Sequence, residues 1–89
     1  MDEHRLDGNA AAGVLGEIFP FEMTIAETAC ARCGSTYRVG ALMVYMHDMG
    51  TVLRCAGCDT ALMRITHIRG CYRLDLSGMT CLRIASGIH

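Results

Sequence analysis

The sequence contains no lysine and no tryptophan, and it has a single proline. All eight of its basic residues are arginine. The lack of lysine excludes activities that need a Schiff-base lysine and nucleotide sites that need a P-loop lysine. The glycine-bearing residues 7–16, DGNAAAGVLG, are therefore not expected to cradle a phosphate group.

Long apolar runs are also missing. Runs such as ALMVYM at residues 41–46 fall far short of the ~20 residues that a membrane-spanning helix needs. The first nine residues, MDEHRLDGN, are acidic and polar, which is not the composition of a signal peptide. We therefore expect a cytoplasmic protein without membrane contact. In that compartment thiols stay reduced, and the six cysteines favour metal binding over disulfides.

The length of 89 residues predicts one domain, residues 1–89, and the apolar fraction of 52% is high enough for folding. A chain this short buries only about 60% of its unfolded surface, so we expect its small core to need a stabilising cross-link.

The net charge of −1 disfavours nucleic-acid binding. Residues 1–50 nevertheless hold three Arg against seven Asp and Glu, whereas residues 51–89 hold five Arg against two Asp. This separation of an acidic first half from a basic second half favours self-association or a charged protein partner. Ordinary surface charge can give the same distribution.

The order of apolar and polar residues predicts a small mixed fold that is mainly β. Helical spacing over residues 6–19 predicts a short N-terminal helix, capped by Asp7 or Asn9 and ended by Pro20. Residues 21–85 are predicted to form a zinc ribbon with an extra hairpin, as an antiparallel sheet of about four to five strands. The predicted strands are residues 21–29, 41–47, 51–55, 60–68, 71–76 and 79–85. We expect turns at 48–50, 69–70 and 77–78, the last closing a two-residue hairpin that places Leu74 opposite Cys81.

Two short segments carry the strongest chemical signal, CARCG at residues 30–34 and CAGCD at residues 55–59. In each, a cysteine pair separated by two residues forms a knuckle whose sulfurs face one point, and Gly34 and Asp59 suit the left-handed conformation that closes it. Two such knuckles supply the tetrahedral S4 set of a structural zinc site. The predicted metal ligands are Cys30, Cys33, Cys55 and Cys58. Because four thiolates saturate the ion, we expect a non-enzymatic protein with no small-molecule substrate.

Two other chemistries use the same motif. A thioredoxin-type dithiol needs a helix after the motif, whereas the residues after Cys33 predict a turn, and such a dithiol needs no second copy. Iron fits the same S4 cage, as in a rubredoxin-like electron carrier. The absence of tryptophan and the aromatic content of 6% disfavour iron, because rubredoxins pack an aromatic core.

The remaining candidates are weaker. Cys71 and Cys81 are predicted to lie on opposite faces of a hairpin as buried free thiols. The four histidines (His4, His47, His67 and His89) lie outside any metal spacing with the knuckles. Four arginines of the second half (Arg54, Arg64, Arg69 and Arg73) give an alternative role in nucleic-acid binding, with Tyr72 stacking on a base.

Both knuckles and the hairpin between them resemble the zinc-ribbon class. More closely, LDGNAAAGVLGEIF, CARCG, GTVLRCAGCDTALMRI and LDLSG are similar to a family of small bacterial proteins catalogued only as a domain of unknown function. The resemblance runs from Leu6 to about Arg83. It implies a zinc-ribbon-like fold with an N-terminal helix and metal at the four cysteines. Family members often carry proline where this chain has Ala56, a change that should leave ligation intact.

Overall fold

The computed structural model describes residues 5–47 and 50–85, with the backbone alone for residues 5 and 6. Its regular elements are one α-helix, three short 3-10 turns and eight strands. The helix is α1 (Ala12–Ile18), and the 3-10 turns are Gly8–Ala11, Met23–Ile25 and Val39–Ala41. The strands are β1 (Arg5–Asp7), β2 (Glu27–Cys30), β3 (Thr36–Arg38), β4 (Met43–His47), β5 (Gly50–Arg54), β6 (Ala61–Ile68), β7 (Cys71–Asp75) and β8 (Met79–Arg83). No helix in the described ranges is long and apolar enough to cross a membrane.

The strands form two antiparallel sheets. The larger has the order β1-β4-β5-β6-β7, and the smaller has the order β3-β2-β8. The predicted fold class, mainly β with antiparallel pairing and a short N-terminal helix, is confirmed. The sequence pattern did not show that the strands divide between two sheets.

The N-terminal helix is shorter than the predicted residues 6–19. Its first part is a 3-10 turn, and the Asp7 carboxylate caps that turn by accepting a 3.1 Å hydrogen bond from the Asn9 amide. Residue 6 belongs instead to β1, where it pairs with Val44. Gly8 is required at the start of the turn because a Cβ there would lie 1.6 Å from the Val39 carbonyl oxygen.

The predicted strand at residues 21–29 is wrong in its first half. Residues 23–25 form a 3-10 turn in which the Ala26 amide donates to the Met23 carbonyl. Met23 and Ala26 are buried, whereas Ile25 is exposed. The spacing of the buried residues is therefore three, as in a 3-10 turn, and the alternation read from the sequence does not describe which side chains enter the core.

Three successive hairpins build most of the larger sheet, as the strand pattern predicted. β4 pairs with β5, β5 with β6 and β6 with β7, with Tyr45 opposite Val52 and Val52 opposite Arg64. The predicted turn at 48–50 lies in part outside the described residues. The 69–70 turn is present, with Arg69 and Gly70 both at positive φ.

The predicted hairpin of β7 with β8 is wrong, and Leu74 does not face Cys81. After β7 the chain crosses to the smaller sheet, where Cys81 pairs with Ala29 and Leu82 with Thr28. The Met79 amide donates to the Leu76 carbonyl and closes the expected turn over residues 77–78, but β8 then pairs with β2 and not with β7. The reversal at 77–78 thus carries the chain from one sheet to the other.

The core lies between α1, the 3-10 turns and one face of each sheet. Leu15 of the helix is buried together with apolar residues of the sheets and turns, among them Val39, Leu42, Val44, Leu53, Leu62, Met63 and Ile65. Cys30 and Cys55 belong to the same cluster. The two knuckles therefore begin inside the core.

Candidate metal centre

The first knuckle grows out of β2. The Cys30 amide donates to the Ser35 carbonyl, and the Gly34 amide donates to the Cys30 carbonyl, each at 3.0 Å. Gly34 has a φ of +77°, a conformation that costs glycine little because it lacks a Cβ. These bonds fold residues 30–35 into a closed loop with Cys30 and Cys33 on one side.

The second knuckle, between β5 and β6, repeats this pattern position for position. The Cys55 amide donates to the Thr60 carbonyl at 2.8 Å, and the Asp59 amide donates to the Cys55 carbonyl at 2.9 Å. Asp59 has a φ of +66°, so both residues expected to close the knuckles adopt the left-handed conformation. The smaller sheet thus supplies one knuckle and the larger sheet the other.

The structure brings all four predicted ligands together. The Sγ atoms of Cys30, Cys33, Cys55 and Cys58 lie within 4.8 Å of one another. The Sγ atoms are 3.6 Å apart between Cys30 and Cys58, and 3.7 Å apart between Cys33 and Cys55. A tetrahedron with Zn–S bonds of about 2.3 Å has sulfur–sulfur edges of about 3.8 Å. The donor set and its spacing therefore fit a tetrahedral metal ion.

Exposure and charge differ among the four thiols. Cys30 and Cys55 are buried, Cys58 is half-buried and Cys33 is exposed. Hydrogen bonds from the Ser35 hydroxyl and amide lower the pKa of Cys33 to about 6, and the Cys33 amide chiefly lowers the pKa of Cys30. Burial raises the pKa of Cys55 to about 11. Deprotonating the buried Cys55 thus needs a positive charge beside it, which a bound cation supplies.

Backbone amides surround the sulfur of the first cysteine in each knuckle. The amides of Arg32 and Cys33 lie 3.4 and 3.5 Å from the Cys30 sulfur. In the second knuckle the Gly57 amide lies 3.3 Å from the Cys55 sulfur. Donors of this kind stabilise thiolates over thiols, as a metal site requires.

The sequence reasoning missed two hydroxyl residues, Ser35 and Thr60. The Thr60 hydroxyl lies 3.0 Å from the Cys58 sulfur, and the Ser35 hydroxyl bonds to Cys33. A signal was available, because each follows the second cysteine of its knuckle by two residues in an otherwise parallel pair of segments.

Neighbouring side chains fix the second knuckle to the rest of the fold. The Arg54 guanidinium donates a 2.8 Å hydrogen bond to the Asp59 carbonyl and lies over the Tyr45 ring, 5.7 Å from its centroid. A Cβ at residue 57 would come within 3.0 Å of the Tyr37 hydroxyl. Gly57 therefore makes room for Tyr37, a residue of the smaller sheet.

The other cysteines and histidines lie elsewhere. Cys71 and Cys81 are free and exposed, so their prediction as buried thiols is wrong. Burial was not the correct expectation because Cys71 and Cys81 lie on edge strands, β7 and β8. His47 and His67 do not join the cysteine group in the described part of the chain. His4 and His89 lie outside the described residues.

The arginines proposed to contact nucleic acid share a sheet face only in part. Arg64 and Arg73 lie on the outer face of the larger sheet, where Asp75 is opposite Arg64. Tyr72 lies on the other face, stacks on His67 with ring centroids 4.0 Å apart, and donates a hydrogen bond to the Glu17 carboxylate. Tyr72 and these two arginines therefore lie on opposite faces of the larger sheet. Arg69 lies in the turn that follows β6.

Comparison with protein-family models gives a match over almost the whole chain. Residues 1–87 match the model of a family described as a family of unknown function (DUF6510). No curated protein and no solved structure matches the chain.

Proposed function

The chain belongs to this family of unknown function, and we propose that it is a non-enzymatic zinc module that presents a surface for protein binding. The observation that carries the proposal is the spacing of the four cysteine sulfurs. Their separations of 3.6 and 3.7 Å match the edges of a zinc–thiolate tetrahedron.

A structural role for the ion follows from the ligand count. Cys30, Cys33, Cys55 and Cys58 fill four positions, which leaves none for a water or a substrate. The ion joins a knuckle of the smaller sheet to a knuckle of the larger one. Zinc in such a site contributes ~10 kcal/mol or more to folding, a large share of the stability of a chain with so small a core.

Zinc is preferred over iron as the resident metal. Both ions accept tetrahedral thiolate ligands, so the donor set fits either. The chain has no tryptophan and an aromatic content of 6%, unlike the aromatic cores of the rubredoxin class. An iron-dependent electron-transfer accessory is the competing proposal.

Protein binding is supported by the surface of the described residues. Several large apolar side chains are exposed, with Ile25 and Ile68 each 50% accessible. The first half of the chain is acidic and the second half is basic, a distribution that can attract a charged protein partner. In the described ranges no carboxylate or imidazole joins the four cysteines.

Nucleic-acid binding is the second candidate function. One observation favours it, because Arg64 and Arg73 are exposed on the sheet face that also carries Tyr45. Asp75 lies opposite Arg64 on that face and reduces its positive potential. If this function were correct, binding to single-stranded DNA or RNA would weaken steeply with salt and would be lost in the double variant Arg64→Ala, Arg73→Ala.

The first experiment is native mass spectrometry of the purified chain, with elemental analysis and a visible spectrum. We expect one zinc per chain and no colour, even when iron is supplied during expression. A reddish protein with one iron per chain would replace this proposal with electron transfer. A chain that folds without any metal would remove both.

A further inference from the structure

Four edge strands bound the two sheets in the described residues, β1 and β7 in the larger and β3 and β8 in the smaller. An edge strand offers unpaired amides and carbonyls to any other strand that reaches it. Proteins usually block such edges with short length, proline or charge.

Three of these edges carry such protection. β1 and β3 have three residues each. β7 has five residues and carries two charges, Arg73 at its centre and Asp75 at its end, and a self-pairing centred on residue 73 would oppose two arginines.

β8 differs from the other edges. It has the sequence Met-Thr-Cys-Leu-Arg, with no proline and no charge at its three central positions. Its one charge, Arg83, is at the end of the strand and lies 3.2 Å from the Glu27 carboxylate of the neighbouring strand. Nothing in the sequence of β8 itself opposes pairing along its outer edge.

We propose that β8 pairs antiparallel with β8 of a second copy of this chain, about a twofold axis at Cys81. The two three-stranded sheets would join into one six-stranded sheet. This inference rests on the proposed function, since it names the partner of that protein-binding surface.

The register about Cys81 avoids opposed charges. It sets Met79 opposite Arg83 of the second copy and Thr80 opposite Leu82 of the second copy. An axis at residue 83 would instead oppose two arginines. The outer face of the joined sheet would have an uncharged middle row, because Cys81 is beside Ala29 and Ala29 is beside Thr36.

The same register extends the contact beyond the end of β8. A groove of about 420 Å³ lies there, lined by Ile25, Glu27, Arg38, Arg83, Ile84 and Ala85. Residues 77–78 of the second copy would lie alongside residues 84–85 of the first. Ile84 and Ala85, which line this groove, would then lie at the interface.

Two matched variants test this interface, since Cys81 and Cys71 are both exposed cysteines on edge strands. In sedimentation equilibrium the metal-loaded full chain should have twice its mass of 9.7 kDa. Cys81→Arg should raise the dimer dissociation constant about a hundredfold, because it places two like charges at the axis. Cys71→Arg should leave that constant unchanged.

Thiol crosslinking gives an independent result without a new charge. A short bismaleimide should join two copies of Cys71→Ser through Cys81 and should fail on Cys81→Ser. A zinc-loaded monomer at about 100 μM would overturn the interface while leaving the metal proposal intact. Dimers that persist in Cys81→Arg, or that dissociate only in Cys71→Arg, would also overturn it. Failure to retain zinc would count against the proposed function instead.

Discussion

The amide of Ala31 donates a 2.9 Å hydrogen bond to the carbonyl of Gly78. Ala31 lies in the first knuckle, and Gly78 lies in the turn between β7 and β8. A Cβ at residue 78 would lie 1.8 Å from the carbonyl oxygen of Ala61. Ala61 is the first residue of β6, the strand that follows the second knuckle. This one turn therefore touches the chain beside both knuckles.

Gly78→Ala should destabilise the metal-loaded protein by about 1–3 kcal/mol, because the new methyl group displaces the backbone of Ala61. Gly13→Ala is the matched control. Its Cβ meets nothing within 4 Å, and alanine should stabilise the helix there by about 0.5–1 kcal/mol. Urea unfolding of the two variants measures both effects, and equal stabilities would show that the close approach at residue 78 is not needed.

Cys55→Ser should abolish stoichiometric zinc binding and cooperative folding, because it removes a buried ligand from a site worth ~10 kcal/mol or more. Cys71→Ser should retain zinc and the far-ultraviolet circular dichroism spectrum of the parent chain. Elemental analysis and thermal unfolding of the two variants provide the comparison. A folded, metal-free Cys55→Ser protein would contradict the structural role of the ion.

Thr60→Val keeps the side-chain volume but removes the hydroxyl that lies 3.0 Å from the Cys58 sulfur. Groups that bond to metal ligands typically affect metal affinity by about 10–100-fold, and we expect a loss in that range. Thr66→Val, on the outer face of the larger sheet, should have no effect. Competition with a zinc chelator of known affinity measures the difference.

Local patterns predicted the two cysteine knuckles and most strands, because each depends on residues close in sequence. The knuckle is closed by hydrogen bonds between positions four and five apart, and Gly34 and Asp59 mark its reversal. The hairpins from β4 to β7 join neighbours along the chain, so alternation and turn residues sufficed.

Long-range pairing was not predictable by the same means. β8 pairs with β2, about fifty residues earlier, and no local signal distinguishes this partner from β7. The 3-10 turn at Met23–Ile25 was predicted as a strand because Phe21, Met23 and Ile25 alternate with polar residues, the pattern of a half-buried strand. The exposure of Cys71 and Cys81 follows from their positions on sheet edges, which depend on topology.

Tyr72 should ionise at higher pH in the parent chain than in Glu17→Gln. The Glu17 carboxylate accepts a hydrogen bond from the Tyr72 hydroxyl. This bond, together with burial of the hydroxyl, raises the pKa of Tyr72. Because the pKa of Tyr72 is higher in the folded than in the unfolded state, the contact stabilises the folded state fully below pH 10. This stabilisation is lost as the pH rises through the pKa of Tyr72 in the folded state. Absorbance at 295 nm during an alkaline titration follows the tyrosinate, and Tyr72→Phe identifies its contribution. Identical titrations of the parent and Glu17→Gln would contradict the contact.

The repeated hydrogen bonds of the two knuckles have a kinetic consequence. The amides of Cys30 and Cys55 are each bonded inside a knuckle loop that the proposed ion would hold closed, one in each sheet. Hydrogen exchange at these two amides should therefore share one rate, set by the residence time of the metal. Adding chelator should accelerate both together, so that departure of a single ion opens two distant segments of backbone at once.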